Sequence, residues 1–345
     1  MPFFTPKNQN VIGLELGSSA IKLVELEPQP NGHRLVTYGI AAHDSAAVRS
    51  DSHADAQETV NTLRQLLSAA RVTTDRVVAA LPAINVFHTM IEIPTMSAKE
   101  LASAVQWEAK RMIPLPLDKM ALDWHVVSPE PSAAGTITVV LTAAAREVVD
   151  RYVRVIKAAD LGLVALETEI NALQRSVLPA DPDGHLVIDM GAHNANIVVF
   201  ANHLPLIVRN LNIGISAIDE HIANALNISL DRASSIRRET TLIHASTANT
   251  APASIKFIVE SFLIKEIKRI LSAKQTNVRS IILTGGIAHL PGITSFFSEH
   301  LSLPCTIGNT WQHVNFNPEM RTALDACGPE LSVATGLALK TKTPT

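Results

Sequence analysis

Three short glycine-bearing segments recur in a fixed order, each placed at the end of a run that reads as a buried β-strand. They are Val11-Ile-Gly-Leu-Glu-Leu-Gly-Ser-Ser-Ala-Ile-Lys22, Leu186-Val-Ile-Asp-Met-Gly-Ala-His193 and Ile281-Ile-Leu-Thr-Gly-Gly-Ile-Ala-His-Leu-Pro-Gly292. The first two share one form: strand, acidic residue, one apolar residue, glycine, then small or polar residues. Without a Cβ, Gly17 and Gly191 are expected to expose backbone N–H groups, and turns of this kind make anion-binding concavities. Two such turns from opposite halves of a chain, followed by the pair Gly285-Gly286, point to a ligand gripped between two lobes. A nucleotide fits that description.

The rest of the composition narrows the field by exclusion. At 345 residues and 47% hydrophobic, the chain can bury a large core and divide into lobes. A net charge of −3 gives no whole-chain field for nucleic acid. Two cysteines, Cys305 and Cys327, fit a reducing compartment better than a disulfide framework. The 13 histidines show no His-x3-His spacing, and there is no Cys-x2-Cys, so a metal site of that type is not expected. No apolar run reaches the ~18 residues of a membrane span, and Met1-Pro-Phe-Phe-Thr-Pro6 lacks a secretory apolar region. The chain reads as soluble and cytoplasmic.

Strand-like runs alternate with helical patterns, which indicates an α/β protein. Strands are expected at 11–16, 22–27, 34–42, 77–81, 86–93, 122–128, 136–144, 163–167, 185–190, 195–201, 205–213 and 280–284. Helices are expected at 56–70, 98–112, 146–159, 169–178, 216–226, 231–243, 254–273 and 331–340. Ala201-Asn-His-Leu204 joins two strands as a hairpin directly after the second glycine turn. The helix at 254–273 carries a wide apolar stripe and is expected to be capped by Ser254. Loops are expected at 44–54, 128–135, 179–184 and 244–253. The two halves share the strand–acid–x–Gly–hairpin pattern without sequence identity.

The segment 84–144 reads as a strand, a helix and two further strands. Its helix follows Ser97, with Glu100 placed for a capping box, and must end before Pro114. Leu101, Ala104, Val105, Glu108 and Met112 mark one expected face. Trp107 reads first as a packing residue and second as a partner contact.

The three glycine motifs resemble the phosphate-1, phosphate-2 and adenosine motifs of the actin and sugar-kinase superfamily. Leu101-Ala-Ser-Ala-Val-Gln-Trp-Glu-Ala-Lys-Arg-Met-Ile-Pro-Leu-Pro-Leu-Asp118, Leu122-Asp-Trp-His-Val-Val127, Leu163-Val-Ala-Leu-Glu-Thr-Glu-Ile-Asn-Ala-Leu173 and Ala334-Thr-Gly-Leu-Ala-Leu339 are similar to the PilM family. These are actin-like cytoplasmic proteins of the type IV pilus inner-membrane platform, related to FtsA. The resemblance implies an actin-like (ribonuclease-H-like) two-lobed ATPase fold. The first lobe is expected over 1–83, completed by 145–182 and 316–345; the second lobe, over 183–315. The inserted subdomain, 84–144, replaces the outer small subdomain of actin.

The resemblance also implies partners and a site. The insert is expected to help bind the cytoplasmic tail of a PilN-like single-span membrane protein, with Met90, Trp107, Met112, Ile113 and Leu115 as contacts. Pilus motor ATPases and the platform are further expected partners, self-association is admitted, and attachment to the inner membrane would be peripheral, through partners. ATP or ADP with Mg is the expected cofactor. Glu15, Gly17, Ser18, Ser19 and Lys22 fall on phosphate-1, Asp189 and Gly191 on phosphate-2, Gly214 on the glycine after the long strand, and Gly285 and Gly286 on the adenosine motif. Glu15 and Asp189 would orient Mg through water, and Glu169 would order a water.

Four positions depart from the family pattern: Glu15 for Asp, His193 with Asn194 after Gly191, Ile215 after Gly214, and Ser234 with Arg237 where the family holds ribose. They argue for weak or absent ATP hydrolysis and weak or lost nucleotide binding. On its own residues, Glu15 reads equally as a salt-bridged strand-end acid, Asp189 also as a turn acid, and His193 as a polar turn residue. Two alternatives are an FtsA-like polymerising ATPase and a small-molecule kinase. The polar tail from Ala338 to Thr345 lacks the amphipathic helix of the first, and no sugar pocket with a general base marks the second.

Overall fold

A computed structural model of the chain describes residues 9–43, 53–113, 115–128, 135–242, 250–272 and 277–340. Most of the loops expected at 44–54, 128–135 and 244–253, and the first and last residues of the chain, lie outside them.

The first lobe begins with β1 (Val11–Leu16), β2 (Ala20–Gln29), β3 (Gly32–Ala42), α1 (His53–Ala70) and β4 (Arg76–Leu81). The insert follows as β5 (Val86–Pro94), α2 (Ala98–Met112), β6 (Met120–Ser128) and β7 (Thr136–Ala145). The chain then returns through α3 (Arg146–Ala158), β8 (Gly162–Thr168) and α4 (Glu169–Val177). The second lobe holds β9 (Gly184–Met190), β10 (Ala195–Ala201), β11 (Leu204–Leu211), α5 (Ile215–Leu226) and α6 (Leu230–Glu239). After these come α7 (Ala251–Ile258), a π-helical segment Val259–Ile264, α8 (Lys265–Leu271), β12 (Val278–Gly285), α9 (Ile293–Leu301) and β13 (Cys305–Ile307). Last are β14 (Val314–Asn315), α10 (Arg321–Cys327) and α11 (Ser332–Ala338).

The two main sheets repeat one plan. The first runs β14-β3-β2-β1-β4-β8 and the second β11-β10-β9-β12-β13. Each opens with an antiparallel meander and continues with parallel strands on the far side of its first strand. The hairpin of β10 and β11 turns at Asn202 and His203, both at positive φ, as a two-residue turn requires. β14 pairs with β3, and Trp311 packs with Val24 and Leu35, so the chain is back in the first lobe before residue 316.

Strands β1, β9 and β10 read as apolar runs because both faces of each sheet are covered. Outer helices cover one face of each sheet. Between the sheets lies a shared core in which Val78 and Ile170 meet Val187, Phe200 and Leu337. Here α4 and α11 cross at glycine contact: a Cβ on Gly336 would stand 1.9 Å from the Ala172 carbonyl oxygen.

The insert is a three-stranded antiparallel sheet, β5-β7-β6, with α2 on one face. Ser97 and Glu100 close the expected capping box, a cap worth about 1 kcal/mol, and the helix stops at Met112. Its buried stripe is Leu101, Val105 and Ala109, continued by Ile113 beyond the helix end. Met112 therefore turns outward, contrary to the face expected from the sequence.

Two further expectations need correction. The helix expected over 254–273 starts at Ala251, because Pro252 suits a first turn and the Thr250 hydroxyl accepts from Ala253 N–H. Ser254 is buried one turn further in, so it is not the cap. The same helix widens into a π segment that regular periodicity does not show.

Candidate functional site

The cleft is framed by the two glycine turns at the ends of β1 and β9. Each turn closes with the same bond: Gly17 N–H donates to Ala20 O at 3.0 Å and Gly191 N–H donates to Asn194 O at 2.9 Å. The glycine amides are thus used inside their own hairpins, contrary to the expectation that they are exposed. What faces the cleft is the residues after them. Ser18, Ser19 and Ala192 line a cavity of about 380 Å³ together with Glu15, Gly17, Lys22, Glu169, Asp189, Gly191 and Asn196. His193 reaches across the cleft, its Nδ1 lying 3.2 Å from Ser18 Oγ.

Three carboxylates, Glu15, Glu169 and Asp189, line the cavity with the Lys22 ammonium and the Arg151 guanidinium. Lys22 Nζ is 2.9 Å from Glu15 Oε1, which bears out the salt-bridge reading of Glu15. Glu15 is 8% exposed, and its other oxygen, Oε2, is buried without a hydrogen-bond partner. Burial alone would lower the Lys22 pKa, but Glu15, with help from Asp189, outweighs it and holds the amine above its usual value. Asp189 is pushed up to about 6 by burial and then by Glu15. Glu169 is pushed up to about 7 by burial, then by Glu15 and Asp189. Its Oε2 accepts from Ala83 N–H at 3.1 Å and from Asn196 Nδ2 at 3.0 Å, which ties the start of α4 to both lobes. Among the described residues no group of three His, Cys, Asp or Glu is placed to ligate a metal directly.

The adenosine side is built differently. Gly285, at φ +71°, lies beside Met190 in the β12–β9 register, and a Cβ there would meet Met190 O at 2.5 Å. Gly286 is partly exposed, and a Cβ there would lie 3.5 Å from Ile215 Cγ1, an ordinary van der Waals contact. Gly214 lets the start of α5 close onto the second turn: Ile215 N–H donates to Gly191 O, and Ser216 N–H to Ala192 O. Arg237, 6% exposed, forms a two-point ion pair with Asp219 at 2.6 and 3.2 Å and also donates to Ser234 Oγ. Gly214, Gly285 and Gly286 are not among the cavity's lining residues, and the cavity continues instead toward Ile84, Asn85, Val148 and Tyr152.

These observations separate the two ends of a nucleotide. The carboxylates, the partnerless Glu15 oxygen and the two turns suit a hydrated cation and an oxyanion. Arg237, expected near the ribose, is engaged by Asp219 and Ser234.

The residues expected to meet a protein partner divide in another way. Trp107 is 60% exposed, Leu115 54% and Met112 40%, whereas Ile113 is 5% exposed and belongs to the insert core. Ile113 is therefore unavailable to a partner. Trp107 is not a packing residue; Arg111 stacks over its ring at 4.8 Å. Met90 is partly buried and sits opposite Val140, on the sheet face turned away from α2. Strands β5 and β6 each pair only with β7, so both outer edges of the insert sheet are open among the described residues.

A family model described as type IV pilus assembly protein PilM matches residues 13–342. The chain belongs to the PilM family. It is similar to a chain from the PilM–PilN type IV pilus biogenesis complex, at 28% identity and a TM-score of 0.83, with 96% of this chain and 98% of that one covered. EutJ, an ethanolamine utilization protein from Carboxydothermus hydrogenoformans, shares the fold at 15% identity and a TM-score of 0.60, covering 96% and 90%. MreB 5 of Spiroplasma citri bound to AMPPNP shares it at 12% identity and a TM-score of 0.53, covering 96% and 95%. The actin-like fold expected from the sequence is borne out, and neither the cell-division nor the kinase alternative is favoured.

For this PilM family chain, the motif residues of the phosphate side converge as expected. Asn196 and Tyr152 on the cavity wall were missed. Asn196 had a signal, being a polar residue inside the apolar run of β10 and the register partner of Asp189. Tyr152 had none, since its position depends on how α3 returns from the insert.

Proposed function

We propose that this chain is a cytoplasmic scaffold of type IV pilus assembly that binds the cytoplasmic tail of a PilN-like membrane protein and carries a degenerate ATP site. The observation that carries it is the insert: a small sheet whose outer strands each pair on one side only among the described residues, with Trp107, Met112 and Leu115 exposed on and just after its helix. An extended peptide added to β5 gains main-chain hydrogen bonds, and its alternate side chains fall on the two faces of the sheet. One set would meet the face carrying Met90 and the other the face carrying α2. The likeness to a chain of the PilM–PilN complex supports this partner. Through that tail the chain would sit peripherally at the inner membrane; no described helix is long and apolar enough to cross one. Motor ATPases and the platform are further partners in this reading, and self-association remains part of it.

On the phosphate side, Glu15, Gly17, Ser18, Ser19, Lys22, Asp189 and Gly191 are the residues we assign to oxyanion contact, with Glu15 and Asp189 orienting a cation through water. No hydrolytic step is assigned to them. The test is calorimetric titration of the full chain, and of a chain lacking 84–144, with a peptide of the partner's cytoplasmic tail. Binding by the full chain and none by a folded deletion chain is expected. Equal affinity of the two would overturn the proposal.

A further inference from the structure

We propose that a second pocket, at the end of the first sheet away from the insert, is a docking site for an acidic peptide segment of a partner protein. Its place follows from strand direction. β1 and β4 run parallel toward the first glycine turn and the insert, whereas the turn between β2 and β3 lies beyond the start of β1. Around that turn, Asn31, His33, Arg175, Gln312, His313 and Asn315 line a cavity of about 430 Å³. The site is separate from the interlobe cleft and does not depend on tail binding.

The chemistry of the wall is one-sided, because none of its lining residues is acidic. Arg175 donates through Nε to Gly336 O and pairs through Nη2 with Glu167, which leaves its Nη1 without a bond among the described residues. Glu167 also accepts from Lys340 Nζ at 2.8 Å, so one buried carboxylate is shared by two cations and the group keeps a net positive charge. Glu27, one register step from the Pro28–His33 pair, is held by Arg34 at 2.6 Å. Two carbonyls near the end of α4 are already satisfied: Ser176 O and Leu178 O accept from Gln312 Nε2, both at 2.8 Å. A carboxylate supplies the acceptor that this set of donors lacks.

Size and shape favour a peptide over a free ion. The volume falls in the range of roughly 300–1,000 Å³ typical of organic-ligand sites. Asn31, His313 and Asn315 form an exposed rim, so a chain can cross the pocket and lower a side chain toward Arg175. Half-buried His33 adds a titratable wall. Burial, and then the nearness of His313, holds it below the usual histidine value. An arriving carboxylate favours the charged imidazole, so binding takes up protons and tightens as pH falls through the histidine range. The other cations facing the pocket or flanking it, Arg175, Lys340 and Arg34, keep their charge throughout that range.

The experiment is calorimetric titration of the full chain with capped pentaglutamate, capped pentaglutamine and inorganic phosphate, at pH 6 and at pH 8. Pentaglutamate should bind about fivefold or more tighter at pH 6 than at pH 8, phosphate more weakly than pentaglutamate, and pentaglutamine not at all. Asn31→Asp sets a like charge on the rim and should weaken pentaglutamate about tenfold. His33→Gln combined with His313→Gln should remove most of the pH dependence. Both variants should stay folded in a thermal melt and keep their affinity for the tail peptide. No pentaglutamate binding at pH 6 would overturn the proposal, as would binding that neither variant changes or phosphate binding tighter than pentaglutamate.

Discussion

His193 Nδ1 lies 3.2 Å from Ser18 Oγ, so a side chain of the second glycine turn touches the first turn across the cleft. Each turn belongs to a different sheet, and this contact joins the lobes at the mouth of the cavity, opposite the shared core at its base.

His193→Ala should loosen that mouth with little loss of global stability. An exposed neutral hydrogen bond is worth about 0.5–1.5 kcal/mol net. Hydrogen exchange should quicken at 17–20 and 191–194 while the melting temperature falls by only about 1–3 °C. Unchanged exchange in both turns would mean that His193 holds nothing together.

The carboxylate cluster makes stability fall as pH rises. Glu169 goes up to about 7 and Asp189 to about 6 in the folded chain, from ordinary values near 4.5 and 3.8. Between those limits the folded state binds more protons than the unfolded one, so unfolding free energy declines as pH increases. The penalty is absent below the ordinary values and complete above about 7. Both groups line the cavity and are only half-buried, so solvent screening reduces the penalty to roughly 1–2 kcal/mol. Glu169→Gln should flatten the decline between pH 5 and pH 8 in denaturant melts, and a profile as steep as the natural chain's would contradict the assignment.

Neighbouring apolar residues of the insert should respond oppositely. Ile113→Ala opens the insert core and should cost about 2–4 kcal/mol. Trp107→Ala and Leu115→Ala should change stability by less than about 0.5 kcal/mol and weaken the tail peptide at least tenfold, as truncation of interface anchors does. Parallel urea melts and peptide titrations separate the two classes. Full tail affinity in the Trp107→Ala, Leu115→Ala double variant would remove this face from the interface.

The pair Arg237–Asp219 is internal to the second lobe, with side chains only 7% and 13% exposed. Asp219→Ala leaves a buried guanidinium uncompensated and should cost about 3–5 kcal/mol. Replacing both residues by apolar ones should recover much of that loss. A mild single variant would indicate that Arg237 finds another anion.

The strands around both glycine turns were legible because burial on two faces writes them as unbroken apolar runs, and the capping box of α2 was legible from Ser97 and Glu100 alone. β13 and β14, three and two residues long, were not, since pairing with β12 and β3 creates them and nothing local does. α9 also escaped, although Ile293, Phe296 and Phe297 have helical spacing, because it follows the glycine motif after a left-handed Gly292. At the site, residue types told which groups would meet but not how they would be satisfied. That Gly17 and Gly191 bond within their own turns, and that Asp219 and Ser234 engage Arg237, are three-dimensional facts. The outward turn of Met112 shows the same limit: a 15-residue amphipathic helix whose stripe drifts places its last apolar residue beyond the core.

The crossing of α4 and α11 sets how the molecule can move. With no side chain between Gly336 and the Ala172 carbonyl, the two helices bear on each other like a shaft in its seat, and sliding or separation is resisted by backbone against backbone. Swivelling about the point of contact disturbs the fewest atoms. Glu169 lies one turn along the same helix, so a swivel there alters its reach to Asn196. A rotation of α4 about that contact would therefore displace a carboxylate of the cavity wall in the same movement that turned one sheet against the other.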